Sequence, residues 1–88
     1  MGLVLSPAAA KALQRLERSD RPRARLLRGV LADIERDPTG PGCHRLAAET
    51  RDEWSVRCGK HRVVYRLRDR WVRVEAIALR SVAYRRKN

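Results

Sequence analysis

Arginine recurs at positions 57, 62, 66, 68 and 73 of a stretch, residues 53–79, that otherwise alternates apolar and polar side chains. A guanidinium keeps its charge and presents a planar fork of donors, which suits phosphate and carboxylate better than plain solvation. With Gly59-Lys60 and Asp69-Arg70 as two-residue turns, Arg57 stands opposite Arg62 and Arg66 opposite Arg73. Like charges paired across strands oppose the sheet by roughly the 0.2–1 kcal/mol of ordinary cross-strand pairs. A wall of this kind gains by taking up an anion, and Glu75 is the one nearby compensation expected. Phosphoryl chemistry there would use the cations for developing charge and would also need groups that exchange protons. The candidates for proton exchange are His44, His61, Lys60 and Lys87. Of these, His61 adjoins Arg62 at the turn, and imidazole titrates near neutrality.

The same turns sort the strands into faces. Trp54, Val56, Cys58, Val63, Tyr65, Leu67, Val72, Val74 and Ala76 read as the core face. Ser55, Arg57, Arg62, Val64, Arg66, Arg68, Trp71, Arg73 and Glu75 read as the other, with Val64 opposite Glu75. Trp71 is the one aromatic on the basic face, a candidate platform for a nucleobase. Counting by twos from Val72 sets Arg80 on the core side, where a lone charge is costly. The strand must therefore end or bulge near Leu79 if Arg80 is to join the basic face.

Ahead of this sheet, "GLVLS" is a short strand candidate, and Ser6 caps a helix whose first position is Pro7. Ala9, Ala12, Leu13 and Leu16 give that helix a narrow apolar stripe. Ser19 or Asp20 caps a second helix, whose Leu26, Leu27, Val30, Leu31 and Ile34 recur at the spacing of a face that covers a sheet. "DPTGPG" ends it. "CHRLA" is a short strand, "AETRD" a polar loop, and "RSVAYRRKN" a basic tail forming a helical turn or a trailing strand. The order predicts one α+β domain over residues 1–88: a small antiparallel β-sheet with two N-terminal helices packed on one face.

The net charge of +11 is unevenly spread. Residues 1–44 hold eight basic and five acidic side chains, whereas residues 45–88 hold thirteen and five, so the second half attracts polyanions. No apolar run approaches a membrane span or a signal peptide, and the reading is a cytoplasmic chain. Cys43 and Cys58 pair with His44 and His61 at spacings foreign to zinc sites, so neither a metal nor another cofactor is expected.

At "WSVRCGKHRVVYRLRD" and "VRVEAIALRSVAYR" the sequence resembles the RelE/ParE toxin superfamily of bacterial type II toxin–antitoxin modules. The likeness rests on the tryptophan strand, on Gly-x-x-Arg-Val-Val-Tyr-Arg at 59–66, and on the ending Arg80-x-x-x-Tyr84. It runs over nearly the whole chain, and the ending looks nearest the RelE branch. The resemblance implies a RelE-like microbial RNase fold and metal-independent, ribosome-dependent cleavage of mRNA. In that reaction a 2′-hydroxyl attacks the adjacent phosphate, leaving a 2′,3′-cyclic phosphate and a 5′-hydroxyl. Carried over, Arg62 and Arg80 stabilise phosphate, and Tyr84 stacks on a base or assists proton transfer. Arg57 stands where RelE has one strand lysine, and Ser55 where it has the other. The implied catalytic set is Arg62, Arg80, Tyr84, Arg57 and His61, with RNA held by Arg66, Arg68, Arg73, Lys60, Trp71 and Arg85. The implied partners are the ribosome, mRNA and a cognate acidic, RelB-like antitoxin that covers the arginine face or displaces the basic tail. Because the lysine pair is missing, a ParE-like DNA gyrase inhibitor without nuclease activity stays open as the alternative, as does a non-toxic relative that only binds antitoxin or RNA.

Overall fold

Ser6 opens the helical part as its position demands: its hydroxyl accepts from the Ala9 amide at 3.1 Å, and Pro7 fills the first helical position. In this computed structural model, which describes residues 2–46 and 52–79, β1 (Gly2–Leu5) precedes α1 (Pro7–Ser19). Asp20 is the whole link to α2 (Arg21–Arg36), accepting from the Arg23 amide at 3.2 Å as its cap. The strands β2 (Cys43–Arg45), β3 (Glu53–Cys58), β4 (His61–Leu67) and β5 (Trp71–Leu79) follow. They build one five-stranded sheet in the order β1-β5-β4-β3-β2.

The β2 to β5 neighbours are antiparallel, as the sequence predicts, but β1 lies parallel to β5. The reason is the helical hairpin. Two successive helices return the chain to the end of the sheet where β1 stopped, so β2 runs back, and three reversals later β5 runs with β1.

The helices cover one face. Ala9, Leu27, Leu31 and Ile34 close over Val63, Tyr65, Val72, Val74 and Ile77. Leu26 does not join them, being 57% exposed, because it lies about 100° around the helix from Leu27. Tyr65 is fully buried, and its hydroxyl donates to the Pro38 carbonyl at 2.6 Å, tying the loop after α2 to the sheet centre. Burial, followed by the neighbouring Cys43, pushes this phenol far above its ordinary range. Among the described residues, no helix is long and apolar enough to cross a membrane.

One irregularity changes the face assignments. From the 69–70 turn, β4 and β5 pair as expected through Arg66 with Arg73 and Tyr65 with Val74. The register then shifts, so that Val64 meets Ala76 and Val63 meets Ile77, leaving Glu75 as the extra residue of a bulge. Beyond it, Ile77 is buried in the core, while Ala76 and Ala78 turn to the opposite face. Ala76 is therefore not a core residue, and Val64 does not face Glu75. The alternation that would carry position 80 to the core side no longer holds past Val74. Arg80, Tyr84, Arg85 and Lys87, with the rest of the tail, lie outside the described residues.

Candidate functional site: the open face of the sheet

Residues paired across an antiparallel ladder project to the same side, so the register gives the uncovered face row by row. The β3–β4 hairpin has the expected pairing, Cys58 with His61, Arg57 with Arg62, Ser55 with Val64 and Trp54 with Tyr65. It turns on Gly59, whose φ of +61° is open to glycine at little cost. A Cβ there would also strike the Arg23 guanidinium, which α2 lays against the hairpin tip. In the next row β2 adds His44 beside Ser55.

At this end of the face Arg57 keeps its charge exposed to a ligand. Arg62 is half-buried, and its Nη1 donates to the fully buried Ser55 hydroxyl at 3.0 Å. Arg57, directly opposite, is exposed and forms no ion pair with the described residues. His44 is exposed on the far side of Ser55. A cross-strand guanidinium pair beside an imidazole is an arrangement that can hold a phosphate and move a proton next to it.

The other end differs. Arg66 and Arg73 are opposed as expected, but carboxylates gather around them. Arg66 lies 3.3 Å from Asp52, 3.7 Å from Glu75 and 3.9 Å from Glu53. Arg73 reaches Glu75 at 3.2 Å, and Arg68 reaches Asp52 at 2.9 Å. Glu75 compensates this end as expected, but the expectation that it does so alone fails here. Glu53 pairs directly with Arg66 one step beyond Trp54–Tyr65 in the same hairpin register, and Asp52 stands one residue before β3. Trp71 is 51% exposed two residues from Arg73, beside a shallow hollow lined also by Asp52, Leu67, Arg68 and Asp69. Lys60 is exposed at the hairpin tip.

His61 leaves the expected set. As the partner of Cys58 and two residues from Val63, it projects toward the helices, away from Arg62. Its Nδ1 is buried without a hydrogen bond. Burial and then the Arg23 charge hold its pKa below the usual value, with Asp20 pulling the other way and Lys60 adding to the depression. His44 takes its place on the open face. Its strand has the right alternation in the sequence, but the register against β3 is set across a loop rather than a tight turn, and no local signal gives it.

The thiols are a half-buried Cys43 and a buried Cys58 whose pKa is raised by burial, a rise that Arg23 partly offsets. Among the described residues, no three His, Cys, Asp or Glu side chains gather as a metal site requires.

Comparison with known proteins agrees with this architecture. The structure is similar to a YoeB/ParE toxin from Agrobacterium tumefaciens, with a TM-score of 0.77 at 23% identity over 90% of this chain and 98% of that one. A YoeB dimer from Staphylococcus aureus gives 0.76 at 21% identity, covering 89% and 94% of the two chains. The RelBE2 toxin–antitoxin complex from Mycobacterium tuberculosis gives 0.70 at 23% identity, covering 91% of each. At these identities the likeness speaks for the fold. No match was found among the curated proteins. A family model described as the ParE toxin of the type II toxin–antitoxin system parDE matches residues 3–84, nearly the whole length, and the chain therefore belongs to that toxin family within the RelE/ParE superfamily.

Proposed function

We propose that this toxin is a ribosome-dependent mRNA endonuclease whose reacting phosphate sits between Arg57 and Arg62. The reading is supported above all by that opposed pair, with the buried Ser55 hydroxyl accepting from Arg62 and His44 exposed alongside. Two guanidiniums would bind the scissile phosphate and stabilise the added charge as the 2′-oxygen attacks phosphorus and the 5′-oxygen leaves. His44 would take the 2′-hydroxyl proton, and a proton returns to the leaving oxygen; Arg80 and Tyr84 are proposed, from the family resemblance, to complete the site. Arg66, Arg68, Arg73, Lys60, Trp71 and Arg85 would contact flanking RNA, the first three less strongly than their charge suggests. A cytoplasmic site of action follows from a ribosomal target.

The same reading includes an acidic antitoxin bound over the arginine end of the face. It draws on charge complementarity and on relatives solved as complexes, such as YoeB–YefM from Staphylococcus aureus and DinJ–YafQ from E. coli.

A second reading, inhibition of DNA gyrase, is favoured by the family match to the ParE toxin and by the three arginines that carboxylates already compensate. Primer extension on mRNA after induction separates the two. Codon-phased cuts that vanish in Arg62→Ala and weaken about a hundredfold in His44→Ala fit the nuclease. Intact message with accumulating gyrase–DNA breaks selects the second reading.

A further inference from the structure

The helical layer carries a second set of cations on the side of the protein away from the open face. Arg21, Arg25 and Arg28 follow one another at i, i+4 and i+7 along α2, all exposed, and line an open hollow with Ala24 and Glu17. Glu17 is ion-paired with Arg28, so three guanidiniums share one carboxylate there. Lys11, Arg15 and Arg18 repeat the same spacing on the exposed side of α1. Residues 7–36 hold eight basic and four acidic side chains, a balance of 8 − 4 = +4. Among those acids Asp20 caps α2 and Asp33 pairs with Arg36, so neither relieves the hollow. Like charges one helical turn apart oppose the helix, and none of these arginines packs in the core.

We infer that this helical surface is a second docking site, distinct from the open face, that takes the phosphate backbone of an RNA duplex. Guanidinium forks on a rigid helix suit phosphate oxygens. The hollow holds no aromatic ring to stack on a base and no amide to read one, which argues for backbone contacts to a duplex over capture of a single strand. The choice of RNA over DNA rests on the nuclease reading above; the charged surface itself does not. Helices and open face lie on opposite sides of the sheet, so structured RNA held at the back leaves Arg57 and Arg62 clear to meet a single strand.

The test uses the full chain carrying Arg62→Ala, titrated against a fluorescent RNA duplex of about 16 base pairs over a salt series. Arg21→Gln with Arg25→Gln should weaken binding at least about tenfold near 100 mM salt and lower the slope of log K against log salt by about two. Arg36→Gln with Arg70→Gln removes the same charge elsewhere and should leave affinity within about twofold. Lys11→Gln with Arg15→Gln, on the other helix, should reproduce part of the loss, which guards against misfolding of a single variant. Binding by the Arg21/Arg25 variant equal to that of its parent overturns the site. A DNA duplex of the same sequence that binds more tightly through the same residues overturns the RNA assignment. Primer extension fails or succeeds separately: lost duplex binding with no cleavage keeps this surface and rejects the nuclease, and the converse keeps the nuclease and rejects this surface.

Discussion

Arg57 opposite Arg62 and Arg66 opposite Arg73 are the same cross-strand pair repeated four residues along β4, yet their surroundings diverge. The first pair has a buried serine hydroxyl under one member and no carboxylate from the described residues on Arg57. The second is laced by Asp52, Glu53 and Glu75 at 3.2–3.9 Å. Two guanidiniums face to face are therefore not in themselves an anion site; the carboxylates within reach decide. The second pair serves the sheet, holding the open ends of β3, β4 and β5 together in a half-exposed network. In the first, Arg57 keeps its charge exposed to a ligand.

The largest test of this contrast exchanges the two ends. Arg62→Ala should cut cleavage by about 10²–10³-fold, the usual cost of one donor to a developing oxyanion, while Arg66→Ala should cost less than about tenfold. Primer extension or a ribosome-programmed cleavage assay reads both. Equal losses would mean that the compensated end works on substrate as well, and the contrast would fail.

Next comes the turn that holds the Arg57–Arg62 pair in place. Gly59→Ala puts a side chain at φ +61° and against Arg23, and should cost about 1–3 kcal/mol, read as a lowered thermal midpoint. Cleavage by the molecules that remain folded should also fall, because Arg57 and Arg62 stand two residues from the turn. An unchanged midpoint would show that Arg23 does not clamp the hairpin.

Removing carboxylates from the compensated end sharpens the comparison from the other side. Asp52→Asn with Glu75→Gln releases Arg68 and Arg73 and leaves Arg66 with Glu53 alone, and should raise RNA affinity about tenfold with a steeper salt dependence. Stability should drop by no more than about 1 kcal/mol, since these pairs are partly exposed and screened. No gain in affinity would mean that the carboxylates do not limit this end.

How far the residues disclosed all this follows from the range of each interaction. The hairpin register was legible because a two-residue turn with glycine at positive φ admits few pairings, and Cys58–His61 through Trp54–Tyr65 all pair as the spacing requires. The Ser6 cap was legible for the same local reason, and Asp20 was one of the two candidates, with Ser19, for the cap of α2. The Glu75 bulge was not, because it adds one residue within a run whose composition continues unbroken through Ala76 and Ile77. The hairpin register also sets Glu53 opposite Arg66, but the reach of Asp52 to both Arg66 and Arg68 depends on side-chain paths that the spacing does not give. His44 and His61 lie on the faces opposite to those that adjacency suggests, on the same principle. Adjacency to Arg62 in sequence sends His61 to the opposite face, and a register formed across a loop brings His44 to the right one.

That reversal gives the smallest effect, one of pH on stability. Burial and the Arg23 charge hold the His61 imidazole below the usual value, and Asp20 only partly offsets them. In the unfolded chain the group regains an ordinary pKa of about 6.5, so below that pH the unfolded state binds more protons. Stability therefore stays level on this group's account above pH ~6.5 and declines as pH falls toward the depressed folded value. Thermal midpoints at successive pH values should show wild type losing more than His61→Gln across that window, with the two running parallel above it. The carboxylates titrate in both proteins and cancel in the difference. Cleavage by His61→Gln at neutral pH should match wild type, since the imidazole faces the helices and not the Arg57–Arg62 pair. A cleavage loss as large as that of His44→Ala would return His61 to the chemistry and undo the face assignment on which the comparison of the two ends depends.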